Sequence, residues 1–253
     1  MSLPARLLAT ALLALSAAVH ADTVKVLTTG AFKPVVSALV PAFEARTGHR
    51  VEVVNDTAGA IIRRIAGGEG FDVLVLTPAG LQPLGAEGRV EAASIRPLAR
   101  VAIGVAVKAG DPAPALGTVD EFRQAVLAAR RVAYIDPAAG GSSGIYLDGL
   151  FQRMGLAEAV RAKAVLVPGG LVAQRLVTGE ADLAIHQVSE ILAVPEARLV
   201  GTLPEAIQNY TTYAGAVSAR TAVPAAARAF LAELAAPQAA ATVRAKGMEP
   251  VAP

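Results

Sequence analysis

The stretch "IDPAAGGSSGIYLDGLFQRMG", 135–155, joins an apolar run to a helical one through Gly140, Gly141 and Gly144. Ser142 and Ser143 add two hydroxyls and good N-cap chemistry for the helix that follows. Backbone N–H groups at a helix N-terminus, with the positive end of the helix dipole, make an anion site. A plain strand-to-helix turn needs the same flexibility and the same cap, so these residues alone support both readings. His186 is the candidate proton carrier, because its ordinary pKa lies near working pH. It also reads as a strand-end residue that is only packed. Glu190 and Lys33 are alternatives for the same task, although Lys33 precedes Pro34 and suits a solvated helix start. Arg63 and Arg64 lie on one helical segment and read as solvated residues or as extra charge for an anion.

Other chemistries are poorly served. The chain has no Cys, which removes a disulfide scaffold, a thiol nucleophile and a Cys-based metal site. No HExxH or paired-His pattern occurs, so no metal is expected. Ser143 lacks the GxSxG elbow of a hydrolase nucleophile. The formal net charge is only +2 and no basic block is present, so nucleic acid is not an expected partner.

The elements that must hold these residues begin after a leader. "MSLPARLLATALLALSAAVHA", 1–21, has one early Arg, an apolar run, and small residues at Val19 and Ala21. This pattern predicts a cleaved signal peptide, export to the periplasm and no membrane anchor afterwards. With 54% hydrophobic residues, the mature chain has ample material for a core without disulfides.

Strands are expected at 23–28, 50–55 and 71–77, with a helix at "KPVVSALVPAFEARTGHR" that Pro41 should kink or interrupt. A helix "AIIRRIAGG" lies between the second and third strands. The long run at 96–110 and the extended stretch at 209–219 bracket a second alternation: "VAYID", the helix after "GGSSG", "AVLVPGG", a helix at about 170–178, and "DLAIHQ". Alternation at this spacing argues an α/β fold with parallel strands. One lobe inserted in another, joined by two crossing strands, accounts for both long segments. The expected boundaries are lobe one at 22–100 and 214–253, and lobe two at 101–213.

"VKVLTTGAFKPVV", "FEARTGHRVEV", "AGAIIRRIAGGEGFDVLVLTP", "DPAAGGSSGIYLDGLFQRMG" and "VTGEADLAIHQVSEI" stand in fixed order along the chain. In these the sequence resembles the molybdate-binding-protein group of periplasmic solute-binding proteins. The resemblance implies a two-lobed type 2 binding fold, each lobe a mixed sheet flanked by helices. It also implies a monomer with a small anion in the cleft between lobes, no cofactor, and an ABC permease as partner.

The group's ligand loops map onto Thr28, Thr29, Gly30 and Ala31, then Asn55, Thr57, Ala58 and Gly59, then Ser142 and Ser143, and last Gln187. Where the group presents serines and a tyrosine, this chain has Ala31, Ala58, Gly59 and Gln187. A tetrahedral oxyanion needs a compact ring of donors. The depleted ring therefore predicts spaced carboxylates, a di- or tricarboxylate, rather than molybdate. The openings "ADTVKVLTTGAFK" and "GHRVEVVNDTAG" are similar to an enzymatic branch on this fold, aconitate isomerase. That resemblance implies an alternative function, movement of a C=C bond, with His186 as the catalytic residue.

Overall fold

A computed structural model describes residues 21–251, and the expected leader lies outside that range except for Ala21. In chain order the elements are β1 (Thr23–Thr29), α1 (Lys33–Thr47), β2 (Arg50–Asp56), α2 (Ala58–Ala66), β3 (Val73–Leu76), α3 (Pro78–Ala86) and β4 (Arg96–Lys108). Then come α4 (Val119–Ala128), β5 (Val132–Ile135), α5 (Ser142–Arg153), α6 (Ala157–Arg161), β6 (Ala164–Val167), α7 (Gln174–Val177) and β7 (Leu183–Gln187). The last are α8 (Val188–Ile191), β8 (Ala197–Thr202), β9 (Tyr210–Val217), α9 (Pro224–Ala235), α10 (Ala239–Ala245) and β10 (Glu249–Pro250).

Two groups of parallel strands result. β1 pairs with β2 and β3, and β5 pairs with β6 and β7, all in parallel. β3 and β5 are buried at every position, which is why both read as unbroken apolar runs rather than alternating ones. Two antiparallel strands connect the groups. β4 pairs with β9 through Arg96–Ala102, then with β7 through Ile103–Ala106 and with β8 through Gly104–Lys108. The apolar run at 96–110 is long because one strand serves two neighbourhoods in succession.

Each group has its own core. Phe32, Phe43, Tyr213 and Phe230 pack with Val24 and Val26 on one side of the first group. Phe122, Tyr134, Leu147 and Phe151 fill the second. Edge-on pairs, Phe43–Phe230 at 4.9 Å and Tyr134–Phe151 at 5.6 Å, lock one aromatic contact into each. Such pairs contribute about 0.5–1.5 kcal/mol beyond the area they bury.

Two local expectations need correction. α1 runs unbroken from Lys33 to Thr47 with Pro41 inside it. Pro41 and Ser37 both lie on the exposed face, so water can serve the carbonyl that Pro41 leaves without a donor. Meanwhile Val35, Val36, Leu39 and Phe43 hold the opposite face in the core. The helix expected at about 170–178 is a single turn, Gln174–Val177, because the chain is still turning after Gly170 at φ 83°.

Candidate functional site

Loops from both strand groups meet at one cleft. It is lined by Thr29, Gly30 and Ala31 after β1, and by Asn55, Asp56, Thr57 and Ala58 after β2. Ile135, Gly141, Ser142 and Ser143 follow from the end of β5, and His186, Gln187 and Glu190 from the end of β7. Tyr213 of β9 and Gly170 complete the wall. These are carboxyl ends of parallel strands, where α/β sheets place their crevices. The enclosed volume is small, about 30 Å³.

Of the eleven expected ligand positions and His186, ten line this cleft together, and Thr28 and Gly59 do not; Glu190, the alternative proton carrier, lines it as well. The Thr28 hydroxyl is fully buried and donates to the Thr29 carbonyl at 3.4 Å. Gly59 instead closes the cleft edge: its N–H donates to the Gly140 carbonyl at 3.1 Å. A Cβ on either glycine would come within 2.9 Å of the other's Cα, and Gly140 sits at φ +79°. Thr57 lines the cleft, yet its hydroxyl donates to the Ala139 carbonyl at 2.6 Å and accepts from Ala60 N–H at 3.2 Å. It caps α2 and ties the two walls, so its proton is already committed.

Ser142 and Ser143 also differ from the N-cap role read from the sequence. Gly141 is the N-cap of α5, with no side-chain cap bond, and the serines occupy the first turn. Both line the cleft at the N-terminal end of α5. Gly144 is required for a different reason, since a Cβ there would run into the Ile135 carbonyl.

His186 and Glu190 form the most unusual feature. They are 2% and 5% exposed, and Nε2 stands 3.2 Å from Oε2. Burial pushes the imidazole down to about 3 and the carboxyl up to about 8. At neutral pH the pair is therefore an uncharged imidazole against a protonated carboxyl. His186 Nδ1 has no hydrogen-bond partner among the described residues. A Cβ on Gly30 would run into the other carboxyl oxygen, Oε1. Gly30 and Glu190 are thus one steric unit. Gly30→Ala should destabilise the protein by about 1–3 kcal/mol, as overpacking does, measured by urea unfolding; no loss would show that Glu190 moves freely.

Gln187 Nε2 donates to the Tyr213 hydroxyl at 2.8 Å. Tyr213 and Asp56 are cleft residues that sequence reasoning missed. Tyr213 belongs to a stretch legible only as an extended crossing, with no motif around it. Asp56 accepts from Thr57 N–H at 2.8 Å and pairs with Arg64 at 3.5 Å. Arg64 also binds Glu69, so it belongs to a surface ion network, and Arg63 is exposed. Among the described residues no Lys or Arg lines the cleft. Charge on a bound anion would be met by helix N-termini and neutral donors alone.

Residues 24–249 match the family of bacterial extracellular solute-binding proteins. The chain belongs to that family. Among its relatives is an aconitate isomerase from a Pseudomonas species, 36% identical over 243 residues, 94% of this chain and 91% of that protein. This solute-binding family member also shares its fold with the periplasmic molybdate-binding protein of Azotobacter vinelandii. That likeness has a TM-score of 0.76 at 22% identity, covering 91% of this chain and 99% of that one. The sulfate-binding protein SubI of Mycobacterium tuberculosis follows at TM-score 0.71 and 20% identity, covering 92% and 88%. The architecture is thus the two-lobed fold of molybdate-binding-type periplasmic proteins.

Proposed function

We propose that the cleft binds a small tricarboxylate and moves a proton within it, interconverting cis- and trans-aconitate. The observation that carries this reading is the buried His186–Glu190 pair on the wall of a cleft otherwise furnished with anion donors. A protein that only holds an anion could use the protonated carboxyl as one more donor, but it needs no basic imidazole lone pair beside it and keeps both groups at a desolvation cost. A proton-transfer site needs both members in these states: a neutral imidazole with a lone pair to accept, and a protonated carboxyl with a proton to give. The 36% identical aconitate isomerase adds support from outside the site.

The chemistry balances without a co-reactant. His186 takes a proton from the substrate CH2, and the C–H electron pair enters the allylic system. The double bond shifts by one carbon, and Glu190 returns a proton to the former alkene CH. The imidazolium and carboxylate left behind stand 3.2 Å apart, and one proton crossing that gap restores the pair. Ser142, Ser143, Thr29 and the N-terminus of α5 would hold the carboxylates. In this reading lobe one spans 22–100 and 214–253 and lobe two 101–213. β4 and β9 are the hinge that opens so small a cavity to a ligand of this size. Residues 1–21 direct a monomer to the periplasm.

A transport role is the second reading, favoured by the neutral donors and by the binding proteins that share the fold. In it the same carboxylate is delivered to an ABC permease without chemistry. Incubation of the pure protein with trans-aconitate, followed by proton NMR, distinguishes the two: the cis acid should accumulate. Propane-1,2,3-tricarboxylate, the saturated analogue, should raise the melting temperature under either reading, with about 2.7 kcal/mol of added stability at a hundredfold excess over Kd. Molybdate at equal concentration should do much less. Micromolar molybdate binding with no response to tricarboxylates would overturn both.

A further inference from the structure

We infer that Tyr213 is a further catalytic residue of this cleft, donating its hydroxyl as a hydrogen bond to the substrate carboxylate beside the carbon that loses its proton. The inference rests on the isomerase reading and adds a residue from an element that no sequence motif marks. Tyr213 is held rigidly. Its side chain is 2% exposed, its ring packs on Phe32 with centroids 6.2 Å apart, and its backbone lies in β9 opposite Ala99 of β4. The ring therefore delivers its oxygen to one place.

The direction of the hydroxyl proton follows from its partner. Gln187 approaches with Nε2, which only donates, at 2.8 Å. The phenol oxygen is the acceptor in that bond, so its own proton is left for something else. Its other polar neighbours are Thr29, Ser142 and Glu190, all cleft residues. Thr29 Oγ1 itself has no hydrogen-bond partner among the described residues. A buried phenol among cleft residues, with its proton free and its oxygen held by an amide, suits a preorganised oxyanion contact.

The chemistry gives that donor a task. Removing a proton next to a carboxylate pushes negative charge onto the carboxylate oxygens, and with no Lys or Arg in the lining that charge needs neutral donors. Burial pushes the Tyr213 pKa up, so the group remains a donor throughout the working range. A hydrogen bond to developing charge strengthens in the transition state and lowers the barrier. A bond of equal strength in both states would only tighten binding.

The test is Tyr213→Phe, which keeps the ring on Phe32, together with Gln187→Leu and the double variant. With trans-aconitate as substrate, Tyr213→Phe should lower kcat by about 10²-fold while changing Kd for propane-1,2,3-tricarboxylate by less than about threefold. Gln187→Leu should lower kcat by about tenfold, and the double variant should be no worse than Tyr213→Phe alone. Such non-additivity means that Gln187 acts by positioning the phenol. If the wild type turns over and Tyr213→Phe keeps kcat within about threefold, the Tyr213 assignment is overturned and the isomerase reading stands. A rise in KM with unchanged kcat would overturn it equally, making Tyr213 a plain binding group. If the wild type shows no turnover, the isomerase reading itself falls and the catalytic role of Tyr213 falls with it. Should Tyr213→Phe fail to fold, Gln187→Leu decides alone, and an unchanged kcat rejects the proposal.

Discussion

Glu190→Gln should fold normally, bind a tricarboxylate as the wild type does, and turn it over about 10²–10⁴-fold more slowly. The reason lies in what burial does to the carboxyl. A group held protonated up to pH about 8 is uncharged at neutral pH, so glutamine preserves its shape and its charge there. Only the transferable proton is lost. His186→Gln should give a loss of similar size for the complementary reason, because an amide has no lone pair basic enough to accept a proton from carbon. Neither change should affect the thermal shift given by propane-1,2,3-tricarboxylate by more than a degree or two. A purely binding protein predicts a different pattern, in which wild type and both variants alike show no turnover. NMR turnover and calorimetric affinity, run on the same preparations, separate the outcomes. Equal turnover by wild type and Glu190→Gln would remove Glu190 from the chemistry.

The same pair should write a plateau into the pH dependence of folding stability. Glu190 titrates at about 8 folded against 4.5 unfolded, so its contribution is complete below pH 4.5 and is lost as pH rises toward 8. His186 titrates at about 3 folded against 6.5 unfolded, so its contribution is complete above pH 6.5 and is lost as pH falls toward 3. Between 4.5 and 6.5 the unfolded chain carries the proton on the imidazole and the folded chain carries it on the carboxyl. The two slopes cancel there. From pH 6.5 to 8 the pair should cost about 2 kcal/mol, and from 4.5 to 3 about the same, since each pH unit is worth about 1.36 kcal/mol. Urea unfolding across this range measures it. Glu190→Gln should abolish the alkaline loss and let the acid one begin already below pH 6.5, whereas His186→Gln should abolish the acid loss and let the alkaline one begin already above pH 4.5. An alkaline limb that survives in Glu190→Gln would assign the titration to another group.

Much of the fold was legible in the sequence. β3 and β5 announce themselves as continuous apolar runs because both of their faces are covered, and α1 by Val35, Leu39 and Phe43 at four-residue spacing. The long run at 96–110 betrays a strand with two successive partners. Pro41 does not interrupt α1, because burial on the opposite face outweighs one missing N–H. The helix at about 170–178 misled because a short apolar segment carries no sign of where turning stops.

The site divides along the same line. The motifs that resemble the molybdate-binding-protein group implied which loops would supply the ligand residues. Ser142, Ser143, Gln187, Thr29 and Asn55 are such residues, and all reach the cleft. The sequence also named His186 as a proton carrier from its chemistry. Tertiary structure decided what each residue does there. Thr57 offers a hydroxyl in sequence, but its proton is taken by the Ala139 carbonyl, 82 residues away. Glu190 was in sequence only an alternative to His186 for the same task, until folding buried it against His186 and under Gly30. Tyr213 had no motif at all and becomes part of the cleft only because β9 crosses beside β4. Local turn chemistry is written in neighbouring residues, whereas desolvation, hydrogen-bond competition and protonation state depend on partners that only the packed chain brings together.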